Sequence, residues 1–359
     1  MLTLEPPNSS QASVTNTSDT DNCVDNKMLQ MPLVVLYSII FILGLIGNLL
    51  ALWVFFFVHS KRNSMRVFLI NLAMADLLLA ISLPFRIQYH LQKNQWKMWP
   101  RLCKTVGYFF YMNMYISITL LGLISVDRYL RIYGSAGTRH KLLSPTWSIA
   151  VCVIIWMVAL AIMLPFVLTK SHSTTMCFHY KNIEKEDMWK VHINIIMLVL
   201  FWLVFICLMV SYGKIAQKLF QRSQDRPHLP TAPHYSQVAR KSFFILFLFI
   251  VCFVPYHIIR GFYITTQINN VSCVWKNLAD KLNETSLVFS ALNSCLDPVM
   301  FFLLSGSVRK EMRRFMRSVF RVRSIGGATE LNSKNNRIQS NVRKISNANE
   351  KETASSNSD

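Results

Sequence analysis

Apolar positions in this chain fall in long runs rather than in the alternating pattern of a half-buried strand or the one-sided stripe of a surface helix. Seven runs, at 32–58, 67–89, 106–126, 147–168, 191–212, 243–264 and 287–304, are long enough to cross a bilayer as helices. The stretch 103–129 gives the scale. No charge and no proline interrupts 105–126, and a continuous helix would separate Cys103 from Arg128 by roughly 38 Å, the thickness of a bilayer with its interfaces. Polar residues are scattered singly inside these runs, where their burial in lipid is costly and marks them as functional candidates. The pattern predicts an all-α membrane protein, a seven-transmembrane helix bundle with an amphipathic helix after the seventh span.

Composition supports this and excludes a soluble enzyme: the 359 residues are 52% hydrophobic and 16% charged, with a mean hydropathy of +0.31. The net charge of +20 is concentrated beside the spans, in the connections after the first, third and fifth runs and in the tail. By the positive-inside rule those segments are cytoplasmic, so the chain is expected in the plasma membrane as a multi-pass protein, N-terminus outside and C-terminus in the cytosol. Anionic membrane lipids and cytosolic proteins, not nucleic acid, are the partners this placement implies.

The expected organisation is an extracellular arm (1–30), the bundle (31–305), a basic amphipathic membrane-surface helix (306–323) and a polar, disordered tail (324–359). The arm has no apolar core of a cleavable signal, so the first span acts as its own signal. Asn8, Asn16 and Asn270 open glycosylation triplets on the outer side. Cys23, Cys103, Cys177 and Cys273 also fall outside, where thiols oxidise. We expect Cys103 with Cys177 and Cys23 with Cys273, although four cysteines allow three pairings and spacing alone leaves them open.

Asp76 in the second run, with Asn113 and Ser117 four residues apart on the third, forms either a sodium pocket, to which Asp297 would add, or a hydrogen-bonded packing cluster. Pro255 and Pro298 interrupt the backbone bonding of the sixth and seventh spans. His257 and Arg260, three apart above Pro255, should face together.

These residues resemble, in order and across every span, the rhodopsin-like G-protein-coupled receptors: Gly47-Asn48, Leu72-Ala-Met-Ala-Asp76, Cys103, Asp127-Arg128-Tyr129, Trp156, Tyr212, Phe249-x-x-Cys252-Phe253-x-Pro255 and Asp297-Pro298-x-x-Phe301. His257-x-x-Arg260, Asp297 and the Cys23–Cys273 pair are similar to the purinergic-receptor-like branch. The segments 110–117, 176–180, 252–257 and 293–300 resemble its lysophosphatidylserine-receptor group.

The resemblance implies a lysophospholipid agonist, a heterotrimeric G protein of the inhibitory type, and arrestin and receptor kinases at the tail. It implies no cofactor apart from an allosteric sodium ion. Arg86, Lys104 and Arg260 would then take the anionic groups and Glu284 the ammonium, with Tyr111, Tyr256, His257, Tyr263 and Asn283 adding hydrogen bonds. Alternatively Arg260 and Glu284 pair as a rim salt bridge. Met197, Phe201 and Trp202 are candidates to line an acyl slot. The activation switch implied is Asp127, Arg128, Tyr129, Tyr212, Phe253, Pro255, Asp297, Pro298 and Phe301, with Arg128 held at rest and freed as the sixth span swings outward. Val204, Phe253 and Phe301 depart from the family's usual proline, tryptophan and tyrosine, and Phe301 implies low agonist-free activity.

Two other readings compete. A nucleotide receptor would use the same arginines, though Glu284 would repel a polyphosphate. A transporter is disfavoured by the odd number of spans and the lack of an internal repeat. No His-Glu-x-x-His or Gly-x-Ser-x-Gly stands in the chain, which argues against an intramembrane enzyme.

Overall fold

The computed structural model describes residues 27–58, 63–133, 135, 137, 144–168, 177–178, 180, 188–225, 232–269, 271–304, 309–310, 313–314 and 317. Among them seven helices are long and apolar enough to span a membrane. They are α1 (Lys27–Trp53), α2 (Ser64–Leu91), α3 (Pro100–Tyr133), α4 (Pro145–Leu168), α5 (Met188–Asp225), α6 (Ala232–Ile268) and α7 (Cys273–Leu304). A π-helical turn, Val54–Val58, extends α1. The helix α2 starts where Asn63 accepts the Arg66 amide at 2.8 Å, an N-cap that satisfies one of the otherwise orphaned first-turn donors.

Most helices outrun the apolar stretches that predict them. The largest difference is α7, which begins at Cys273 although its apolar run begins at 287. The added turns carry Lys276, Asp280, Asn283 and Glu284, all buried inside the bundle rather than in water. Hydropathy misses these turns because they are polar toward the protein.

The core is built by α2, α3 and α7, while α4 and α5 keep most of their surface outward. Helix α4 packs on α2 and α3, α5 packs on α3 and α6, and α4 and α5 barely touch each other. Trp156 of α4 reaches inward, its Nε1 donating to Asn71 Oδ1 of α2 at 3.0 Å. Close approach of α1 to α7 depends on two glycines. A Cβ on Gly47 would lie 2.6 Å from Pro298 Cγ, and one on Gly44 would lie 2.9 Å from Ser294 Oγ. Asn48 closes this seam by donating to the Gly44 and Ser294 carbonyls, each at 2.9 Å.

At one end of the bundle Cys103, on α3, is bonded to Cys177, with Cα atoms 5.9 Å apart. Cys273, at the start of α7, is also disulfide-bonded. Its expected partner Cys23 lies outside the described residues, as do Asn8, Asn16, Asn270, the arm, most of 306–323 and the tail. Residues 305–359 form a separate unit.

Candidate ligand-binding site

At the disulfide end, α2, α3, α6, α7 and Phe178 enclose a cavity of about 210 Å³. Arg86, Tyr111, Arg260, Tyr263, Asn283 and Glu284 line it, six of the nine residues expected at a ligand. The other three do not line it. Lys104 is half-buried near the start of α3, and Tyr256 is buried behind Tyr111, ring centroids 6.3 Å apart. His257 turns toward α5, its ring flat on Phe201 at 3.6 Å and its Nδ1 donating to the Phe253 carbonyl at 2.7 Å. Phe201 is therefore inside the bundle, where it also stacks on Phe249, rather than facing lipid.

Arg86 occupies one side of the cavity. Its Nη2 donates to both Glu284 carboxylate oxygens, at 3.1 and 3.3 Å, and the two side chains are only 3% and 6% exposed. Three rings surround the guanidinium: Phe110 and Phe178 at 4.7 Å and Tyr37 at 5.4 Å. Phe178 comes from beside the disulfide, so this arginine ties α1, α2, α3, α7 and the disulfide segment together. Planar, weakly hydrated guanidinium suits such a stacked, paired position better than an ammonium would. The alternative pairing of Glu284 with Arg260 is not the one formed.

Arg260 stands on α6 with different neighbours. Its Nη2 and Nε donate to Asn194 Oδ1 of α5 at 2.9 and 3.3 Å, and Tyr263 lies under it at 5.1 Å. No carboxylate of the described residues bonds to it. Among the described residues, the cavity thus contains one arginine paired with a carboxylate and one paired with an amide alone.

Deeper in the bundle, Asp76, Asn113, Ser117 and Asp297 are all buried. Asn113 donates to Asp76 Oδ1 at 3.0 Å, and Asn293 approaches the same oxygen at 3.5 Å. Asp297 adjoins Asp76. Asp76 Oδ2, both Asp297 carboxylate oxygens and Ser117 Oγ have no hydrogen-bond partner. Four buried, unsatisfied oxygens including two carboxylates fit a hard cation bound through oxygen, and would be costly to bury without one or without a proton.

The opposite end carries the basic residues. Asp127 is buried but its carboxylate accepts from Arg131, Nε at 2.7 Å and Nη2 at 3.2 Å, one helical turn on, and not from Arg128. Tyr129 stacks on Tyr133 at 4.9 Å. Tyr133 donates to the Lys214 carbonyl at 2.7 Å, and Lys218 donates to the Ile132 carbonyl at 2.9 Å, so α3 and α5 clasp each other here. Tyr212, Phe253 and Phe301 are fully buried. Beside Pro255, Ser290 of α7 donates to the Cys252 carbonyl at 3.3 Å, next to the carbonyl that the proline leaves without its helical donor. Phe301 packs edge-on against Phe55 of the π-helical turn at 5.8 Å.

Residues 47–301 match the family described as 7 transmembrane receptor (rhodopsin family). The chain belongs to that family. It is 46% identical over 310 residues to the mouse (Mus musculus) "Probable G-protein coupled receptor 34", covering 84% of this chain and 82% of the relative. It is 32% identical over 299 residues to the bovine (Bos taurus) purinoceptor 14, covering 80% and 87%. With the human "Uracil nucleotide/cysteinyl leukotriene receptor" it shares 32% over 278 residues, covering 76% and 73%. The resemblance to the rhodopsin-like, purinergic-type branch therefore holds, and the protein is a membrane receptor rather than an enzyme, working with an extracellular ligand and a G protein.

Several residues in and around the receptor's cavity escaped sequence reasoning. Tyr37, Phe110 and Phe178 form the cage around Arg86, yet as aromatics in or beside apolar runs they carry no signal that separates a cage from lipid-facing surface. Asp280, one turn before Glu284 on α7, is buried near Tyr89 and Tyr263. Asn194 was legible in principle, as a lone amide in the apolar run of α5.

Proposed function

We propose that this receptor responds to a lysophospholipid, with lysophosphatidylserine as the best chemical match. The observation that carries this reading is the pair of arginines with unlike partners in one cavity. Arg260, with its charge uncancelled, suits the phosphate. The Arg86–Glu284 pair, one charge of each sign, suits a zwitterionic amino-acid headgroup, carboxylate toward Arg86 and ammonium toward Glu284. Tyr111, Tyr263 and Asn283 add neutral donors and acceptors. At about 210 Å³ the cavity is smaller than the about 300–1,000 Å³ of sites that enclose a whole small molecule. It accommodates a headgroup, and the acyl chain leaves it toward the membrane, for which the scant contact between α4 and α5 offers a route.

The disulfide end faces outward and the basic end the cytosol, a reading supported by the positive residues near the spans. Agonist stabilises a state in which the clasped cytoplasmic ends separate and admit a G protein of the inhibitory type, shifting the population only by as much as it prefers that state. Arrestin and receptor kinases act on the tail, 324–359. Asp76, Asp297, Asn113 and Ser117 would hold sodium, which supplies positive charge between two carboxylates. Replacing sodium by a bulky organic cation should then lower the melting temperature of purified wild type but not of Asp76→Asn.

G-protein activation in cells expressing the chain, titrated with lysophosphatidylserine and in parallel with nucleotides, tests the ligand. A response to the lipid supports the reading. A response to nucleotides alone keeps the receptor and overturns the ligand, in favour of the nucleotide chemistry that the purinoceptor relatives' names carry.

A further inference from the structure

We propose that Asn194 is the positioning residue of Arg260: it fixes the guanidinium at the cavity wall without neutralising it, so that the anionic group of an agonist meets an arginine held by an amide rather than by a carboxylate. The inference rests on the proposed binding of an anionic headgroup at Arg260.

The geometry begins one turn back on α5. Asn194 Nδ2 donates to the Lys190 carbonyl at 2.7 Å, which orients the amide so that Oδ1 faces α6. Oδ1 then accepts from two donors of Arg260 at once. The reversed amide would place its NH₂ against the guanidinium and lose all three bonds, so the orientation is fixed by the network itself. A guanidinium has five N–H donors, and Asn194 engages two. Tyr263 supports the plane from below. The remaining donors and the full positive charge are left for a ligand.

The contrast with Arg86 shows why the partner's charge matters. A carboxylate on Arg86 makes a charge-assisted pair that an incoming anion must compete with on equal terms. A neutral amide makes a weaker bond to a cation than an anion does, so a phosphate can share or displace it. Asn194 also belongs to α5 and Arg260 to α6, so agonist contact at Arg260 acts on the joint between these two helices.

The test is a set of full-chain variants, Asn194→Ala, Asn194→Asp, Arg260→Ala and the double Asn194→Ala/Arg260→Ala, assayed for G-protein activation with surface expression measured in parallel. Each is titrated with lysophosphatidylserine and with a uridine nucleotide. Asn194→Asp should raise the half-maximal agonist concentration by roughly ten- to a hundredfold, the worth of a hydrogen bond to a charged group. Asn194→Ala should cause a smaller loss, and none beyond that of Arg260→Ala when combined with it. A mere clasp between α5 and α6 gives the opposite order, since aspartate would strengthen it. Asn194→Asp with wild-type potency, or additive losses in the double variant, overturns the inference while leaving the ligand reading intact. Activation by the nucleotide alone overturns the lipid reading, and the same variants then test Asn194 with that agonist. Silence of a surface-expressed wild type to both overturns the anion-receptor reading and this inference together.

Discussion

On the α2 side of the cavity Arg86 lies within 4.7 Å of two rings, bonded to a carboxylate, and nearly inaccessible. On the α6 side Arg260 is half-buried, bonded to an amide, and open to the cavity. The two share a functional group and a cavity, so the partner is what sets them apart. A buried cation with its own counter-charge supports the architecture as well as lining the cavity, because removing either half strands the other. A half-buried cation held by a neutral group keeps a charge that an anionic group can meet, which is why we propose Arg260 as the anion site.

The largest effect that would separate them is on folding. Glu284→Ala leaves Arg86 buried without its carboxylate and should destabilise the receptor by about 3–5 kcal/mol, read as lost surface expression and a lower melting temperature. Arg260→Ala strands no charge, so expression should stay near wild type while agonist potency falls roughly ten- to a hundredfold. If instead Glu284→Ala expresses normally and Arg260→Ala does not reach the surface, the assignment of the two arginines is reversed. Opening the cage is milder: Phe110→Leu removes one of three rings and should cost about 0.5–2 kcal/mol in thermal stability without a selective loss of potency. The smallest change is expected at the other end, where Asp127 pairs with an Arg131 that is 41% exposed. Water and salt screen the Arg131 end, and the neighbouring Arg128 still offsets the buried Asp127 charge, so Arg131→Ala should shift stability by less than about 1 kcal/mol. An effect there as large as that of Glu284→Ala would show that burial is not what sets the scale.

Sequence made the seven spans legible because lipid demands long apolar helices that satisfy their own backbone groups. The same rule hid the first turns of α7, whose polar residues face protein instead of lipid. Six of the nine expected ligand residues converge on one cavity, since arginines and a glutamate near span ends have few other reasons to exist. What the sequence could not supply was pairing. Glu284 was open to an ammonium or to Arg260, and the choice of Arg86 depends on how α2 and α7 face each other. His257 sits three residues from Arg260, yet its ring is drawn to Phe201, because stacking partners come from another helix. Asp127 stands next to Arg128 in the chain, but helical geometry places its carboxylate beside Arg131, one turn away.

The most direct test of the central claim is saturable binding of radiolabelled lysophosphatidylserine to membranes from cells expressing wild type or Arg260→Ala at matched surface levels. Wild type should bind saturably, with unlabelled lipid but not nucleotide displacing the label, and Arg260→Ala should lose most of that binding. Equal binding by the two proteins would contradict Arg260 as the anion anchor, and an absence of saturable binding to wild type would contradict the lipid assignment itself.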